Sequence, residues 1–469
     1  MIVHADVLKV VEKAKLLGEK GKDSLALRRL KEAEKKYPED SFLLANIALI
    51  AQRLEKNNLA IEYYLKALNL DPENPTYIFN YGVLLYGIRK FDEGLKKIQK
   101  ALSYERNSFY HLTFAKFLYN SGRTLEAEEN LILAQNFDCT PKVRHQINWM
   151  KAHVYLRMGN LKTGWKFFES RLEPGTDGLN TTHDPMKSIR ILNGEIPQWR
   201  GEDLSNKTII INDEQGFGDT IQFSRYVLAL GEKYDNITIN FICKKELFRL
   251  FGFMPNYVNL FYREENQQVI EEINGDFHIF LMSIPLYFET NYESIYSKYP
   301  YILSEDKKID YPFIAKDKLN IGISWTGSKT NPNDLNRSIW SLEELEPLLS
   351  IKSINFISLQ VGNSYVSVEK DNRIIDSSSY IEDFKDSLDI IKRLDLIVTI
   401  DTAIAHLSGA ANIPCWVFLP KIATDWRWGE NLKHCPWYKS LKIYKQENPD
   451  DWTVPINSVV KEIKQKFKI

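Results

Sequence analysis

The run Leu396–Leu419, LIVTIDTAIAHLSGAANIPCWVFL, holds the reading on which the fold turns. Its uncharged part, Thr402–Pro420, is long enough to suggest a membrane span, yet His406, Ser408, Gly409, Asn412 and two prolines interrupt it. A strand, a loop, a helix of small residues and a second strand fit better. The apolar LIVTI ends on Asp401 and Thr402, and the helix that follows offers an N-terminus open to an anion. His406 is then either a satisfied core histidine on the inner helix face or a group that touches a ligand.

Outward from this run the same alternation repeats. Thr208–Asn212, Ile237–Ile242 and Phe277–Met282 read as one group of strands. Asn320–Trp325, Ile354–Gln360, Leu396–Ile400 and Cys415–Leu419 read as another. Strands nearly continuous in Ile and Val, separated by helical stretches such as Ser341–Leu349 and Ile381–Leu394, predict parallel sheets covered on both faces. Two doubly wound domains facing a cleft are expected, joined near Tyr301–Lys318. Ligands of such sheets bind beyond the carboxyl ends of strands.

Two more loops at such ends carry unusual chemistry. In Asp213–Phe223, DEQGFGDTIQF, Gly216 and Gly218 permit a tight backbone and Asp219 opens a helix, either as a simple N-cap or as a carboxylate at the cleft. In Trp325–Ser338, WTGSKTNPNDLNRS, Lys329 and Arg337 are of the type that meets a diphosphate, though surface loops commonly carry both.

The first third has a different rhythm. Ala48, Gly82 and Ala115 are spaced by 34 and 33 residues, as are Ala60, Gly94 and Ala127, and Ala67, Ala101 and Ala134. That register matches tetratricopeptide repeats, whose paired helices approach closely wherever a side chain is small. Units are expected at about 41–74, 75–107 and 108–141, with a weaker one before Pro38 and a degenerate last one at about 145–175 that keeps Ala152 and Phe168. Gly164–Leu172, GWKFFESRL, closes the array with aromatics suited to docking on a following domain. Glu173–Gly194 reads as a linker or crossing loop.

The 469 residues and 44% hydrophobic content suit about three globular domains, expected at 1–175 (repeats), 176–310 and 311–469. A net charge of -1 gives no general field toward nucleic acid or anionic membrane, although residues 1–170 carry 27 basic against 20 acidic groups and the remainder is acidic. Four scattered cysteines without Cys-x-x-Cys spacing and a start without a secretory pattern point to reduced thiols and a cytoplasmic location.

Taken in order, EQGFGDTIQFSRY, DFHIFLMSIP, GISWTGS…NRSI, FISLQ, DLIVTIDTAIAHLSGA, DWRW and CPWY resemble bacterial tetratricopeptide-repeat glycosyltransferases. These are similar to ADP-heptose:lipopolysaccharide heptosyltransferases and, more distantly, to O-GlcNAc transferases. The resemblance implies a tetratricopeptide superhelix followed by a GT-B fold of two Rossmann-like domains, the first on the acceptor side and the second holding the nucleotide sugar. It makes Asp219 the catalytic base. It assigns donor binding to Gly216, Gly218, Thr326, Lys329, Arg337, Ser338, Gln360, Asp401, Thr402, Ala403 and His406, with Ala403 standing where the family has glycine.

The function so implied is inverting transfer of a sugar from a nucleotide-diphosphate donor to a hydroxyl of a protein or glycan. The repeats would bind the acceptor, or a peptide partner on their concave face. No Asp-x-Asp pair occurs, so neither a metal nor another cofactor is expected. A non-catalytic scaffold with a vestigial sugar-nucleotide domain is the principal alternative. A GT-B-type epimerase would have no use for the repeats.

Overall fold

The computed structural model describes residues 4–173, 196–263, 273–303, 309–362, 371–430 and 435–469. They fall into two compact units, Met1–Ile147 and Asn148–Ile469. Most of the expected linker Glu173–Gly194, the 175/176 boundary and part of the joint Tyr301–Lys318 lie outside the described residues.

In the first unit, helices pair as Ala5–Glu19 with Asp23–Glu34, Ser41–Arg53 with Asn57–Leu70, Pro75–Gly87 with Phe91–Tyr104, and Ser108–Asn120 with Thr124–Gln135. Local chemistry sets the period. Asp40, Asn74 and Asn107 each cap the first helix of a pair, accepting from the backbone N–H of Leu43, Tyr77 and Tyr110. Gly21, Glu55, Arg89 and Gly122 take a left-handed φ between the two helices of each pair. The recurrent alanines are fully buried, and Gly82 and Gly94 face each other where their helices cross. Stacked rings join successive pairs, Phe79 with Tyr110 and Tyr86 with Phe117 at 4.0 and 3.9 Å.

The second unit holds two wholly parallel sheets. Strands β1 (Thr208–Asn212), β2 (Thr238–Lys244), β3 (Val258–Arg263) and β4 (Phe277–Phe280) lie in the order β3-β2-β1-β4. Strands β5 (Leu319–Ser324), β6 (Ile354–Ser358), β7 (Ile374–Asp376), β8 (Leu396–Ile400), β9 (Cys415–Leu419) and β10 (Leu441–Lys445) lie in the order β10-β9-β8-β5-β6-β7. Chain order reverses beside β1 in one sheet and beside β5 in the other, so both have the switch point at which α/β sheets take ligands.

The sequence reading is corrected at the edges. Strands β3, β7 and β10 were not expected, and each ends its sheet; β3 buries none of its residues fully and β10 exposes Lys442. Central strands are apolar on both faces and edge strands are not. Residues 281–283 form a 3-10 turn rather than the end of β4. Ser341–Leu349 becomes a 3-10 turn and the short helix Glu346–Leu349, and the Ile381–Leu394 helix contracts to Phe384–Ile391.

The degenerate last repeat is the helix pair Pro141–Arg157 and Leu161–Phe168. Its Trp165 packs edge-on to Phe223 and Trp426 in the core of the second unit and donates its indole N–H to Thr290 O at 3.2 Å.

Crowding at the repeat crossing makes a testable difference between two glycines. A Cβ on Gly94 would lie 2.7 Å from Tyr86 N and 2.8 Å from Gly82 O, backbone atoms that cannot swing aside. Gly94→Ala should therefore cost about 1–3 kcal/mol by overpacking, outweighing a helix-propensity gain of about 1 kcal/mol. Gly87, at a helix end with open space around it, should accept alanine with no loss. Urea denaturation of both variants checks this; equal effects would refute the close crossing.

Candidate functional site

Three loops named from sequence meet between the two sheets. Helix Phe217–Phe223 packs on helix Ala403–Ala410, and a Cβ on Gly218 would lie 2.7 Å from His406 Cδ2 and 3.5 Å from Ala403 Cα. Gly218 thus serves helix contact. The left-handed residue of its loop is Gln215, with φ 58°, not either glycine.

Asp219 has two engagements. One oxygen accepts the Gly216 N–H at 2.8 Å and the other pairs with Arg427 Nη2; the helix N-cap is Gly216, so Asp219 is not the N-cap expected from sequence but the third helical residue reaching back to it. Arg427 also donates from Nη1 to Asp425 at 3.0 Å and from Nε to the Gln222 amide oxygen at 2.7 Å. One guanidinium therefore spans two carboxylates from different sheets. It comes from the DWRW motif, where an arginine between two tryptophans was the available signal; the sequence reading gave it no role.

Around β8 the charges are graded. Burial first, then neighbouring Asp425, raise Asp401 to about 6, against the pull of Arg337. Burial also opposes ionisation of Asp425, but Arg427 and its N–H groups outweigh it and hold Asp425 below the usual range. His406 is buried, accepts or donates one Nδ1 hydrogen bond with Tyr438 Oη at 2.9 Å, and stacks near Trp428. Burial and then Arg427 lower it to about 3, so it is neutral at physiological pH.

The loop after β5 is tied into a self-consistent turn. Gln360 accepts from Ser324 Oγ at 2.6 Å and from the backbone N–H of Trp325 at 3.0 Å, and it donates to Thr326 Oγ1 at 2.5 Å. Ser338 Oγ accepts from Gly327 N at 2.9 Å and donates to Asp334 at 2.8 Å. These place Gln360, Thr326 and Ser338 in the loop's own scaffold. Arg337 pairs from Nε with Asp334 of the same loop at 3.4 Å and also reaches across, donating from Nη1 to the Asp401 carbonyl at 2.8 Å, with Gly327 leaving room for its head group. Thr402 meets Thr399 through their hydroxyls at 3.2 Å. Lys329 is exposed in the same loop.

The first sheet fills its own switch point. Arg171, from the aromatic cap, forks onto Glu214 with two bonds of 2.7 Å and onto Glu169 and Ser283. Glu214 follows β1 and Ser283 follows β4. Asp213 beside it pairs with Lys244 at 3.2 Å and with Arg263, closing the ends of β2 and β3 onto β1. Among the described residues no group of three or more His, Cys, Asp or Glu is arranged to hold a metal, and no helix is long and apolar enough to cross a membrane.

Residues 43–74 match the family model for the tetratricopeptide repeat, so the first unit carries such repeats. The chain is 23% identical over 460 residues to protein FlbA of Caulobacter vibrioides, covering 88% of this chain and 71% of that one. Solved structures with similarity include PilW, described as a type IV pilus biogenesis factor, at TM-score 0.34, 19% identity, 41% of this chain and 94% of that chain. MamA from Desulfovibrio magneticus RS-1 follows at TM-score 0.31, 16% identity, 36% and 94%.

Burial of neutral His406 has a defined pH signature. An unfolded histidine titrates near 6.5 and the folded one at about 3. Between these values the unfolded chain holds the extra proton, so stability falls as pH falls, by up to about 1.4 kcal/mol per unit. Asp401, raised in the fold, acts with opposite sign in both proteins. Relative to His406→Gln, the wild type should lose stability between pH 6.5 and 4; parallel curves in urea melts would refute the assignment.

Proposed function

We propose that the second unit is an inverting glycosyltransferase of GT-B type, with a nucleotide-diphosphate sugar as donor and a protein or glycan hydroxyl as acceptor. The observation that carries this reading is Asp219, on the first sheet's helix, joined through Arg427 to the loop beside Asp401 on the second. An inverting displacement has use for a carboxylate near the acceptor hydroxyl and for cations and N–H groups around the departing diphosphate. Asp219 supplies the first. Arg337, Arg427 and the start of helix Ala403–Ala410 supply the second.

A carboxylate has about four lone-pair positions, so contacts with Gly216 and Arg427 leave it able to accept a proton from a bound hydroxyl. Arg427 would then share its charge between Asp219 and a diphosphate oxygen. The repeats fit a partner-binding role, and the acceptor or its carrier is the partner we assign to them. The scaffold reading draws on the same contact, because Asp219 already reaches back to the helix N-cap and is an ion-pair partner.

Asp219→Asn separates the two readings, since it keeps shape and hydrogen bonds but removes the base. With a donor found by thermal-shift screening of nucleotide sugars, turnover should fall about 10²–10⁴-fold while donor affinity holds. Arg337→Ala should weaken nucleoside-diphosphate binding by calorimetry. Near-normal turnover in Asp219→Asn would leave it the structural role alone.

A further inference from the structure

Arg337 and Arg427 stand on different loops, and Asn333 ties those loops together. Its Nδ2, in the loop after β5, donates to the Ala423 carbonyl, in the loop after β9, at 2.9 Å. The amide is held in place from its own loop: its oxygen accepts from Asn336 Nδ2 at 2.8 Å, and its backbone N–H donates to Asn331 Oδ1 at 2.8 Å. The nitrogen end is therefore the one turned toward Ala423.

Ala423 is a residue on which such a tie has leverage. Its φ is 55°, in the left-handed region where a Cβ is crowded and glycine is at ease. A strained residue keeps that conformation only while its surroundings impose it. From there to Arg427 the chain has little freedom. Thr424 donates from Oγ1 to Pro420 O at 2.6 Å and accepts at its carbonyl from Arg157 Nη2, while Asp425 caps the 3-10 turn Trp426–Trp428 by accepting from Arg427 N at 2.9 Å. A displaced Ala423 peptide is thus passed on to the Arg427 guanidinium, whose bonds to Asp219, Asp425 and Gln222 admit little drift.

We propose that Asn333 is a positioning residue: it keeps the Ala423 turn left-handed and so sets Arg427 against Asp219, making the Arg337 and Arg427 loops one anion site rather than two. Asn333 stands four positions before Arg337, so a single short loop supplies one cation and braces the loop of the other. A diphosphate as occupant of that site rests on the transfer reading above. The coupling of Asn333 to Arg427 does not.

Thermal melts of the full chain without ligand test the coupling. Asn333→Ala should lower the melting temperature by about 2 °C. In an Asp219→Asn background the same change should cost less than half of that, because the contact that Asn333 positions is already weakened. Losses that simply add in the double variant overturn the proposal. Calorimetry with inorganic pyrophosphate tests the occupant. Asn333→Ala should bind it at least about threefold more weakly, and a second change, Ala423→Gly, should restore most of the affinity, since glycine adopts the left-handed turn unaided. Wild-type affinity in Asn333→Ala overturns the positioning role. So does a loss that Ala423→Gly fails to restore, which would confine the effect of Asn333 to the Arg337 loop. Melts that couple in a chain that does not bind pyrophosphate would keep Asn333 on Arg427 and overturn the shared diphosphate site.

Discussion

Helix Phe217–Phe223 and helix Ala403–Ala410 meet where Gly218, having no side chain, lies against the His406 ring and the Ala403 backbone, and everything around Asp219 follows from that contact. Because the helices touch, the carboxylate of one sheet and the DWRW loop of the other come within reach of a single guanidinium. Arg427 is buried and Asp219 part-buried, and because Arg427 also pairs with Asp425 at 3.0 Å its charge stays compensated when Asp219 is neutral. The interface is therefore held by the same atoms that the proposed chemistry uses.

A second cation reinforces the contact without any carboxylate. Arg225 is fully buried, and among the described residues no acid lies within 4.0 Å of it. Its N–H groups go to the carbonyls of Gln222, Tyr296 and Trp437 and to the hydroxyl of Tyr301, and its charge lies 4.6 Å from the Tyr301 ring centre and 5.1 Å from that of Tyr438. Aromatic faces attract a desolvated cation more strongly than an exposed one. Tyr438 also holds His406, and Gly409 clears space for its ring. The CPWY and FSRY motifs thus meet in one buried cluster.

The central strands and the repeat register were legible because burial on both faces, and close helix crossing, leave a direct mark on residue type. Edge strands leave a weaker one, and β3, β7 and β10 went unread for that reason. At the candidate site, Asp219 and Asp401 were singled out by their positions after strands and Arg337 by its charge in a polar loop. Gln360, Thr326 and Ser338 stand in the right loops but hold those loops together. Arg427 escaped because its partner is 208 residues away in the chain, and a long-range ion pair has no local pattern.

The contrast between the two switch points gives the sites their order of importance. At the first sheet, Arg171 and Glu214 fill the crevice with a forked, buried pair, so protein occupies the place where a ligand of that sheet would lie. At the second, Arg337 touches a carbonyl rather than a carboxylate of the β8 end, and Asp401, Thr402 and Ala403 remain partly exposed. Arg337 is paired within its own loop by Asp334 at 3.4 Å, a longer contact than the 2.7 Å fork of Arg171 on Glu214. On the proposed reading, the anionic part of the donor lies at the second sheet, beside the start of helix Ala403–Ala410, and the first sheet positions Asp219.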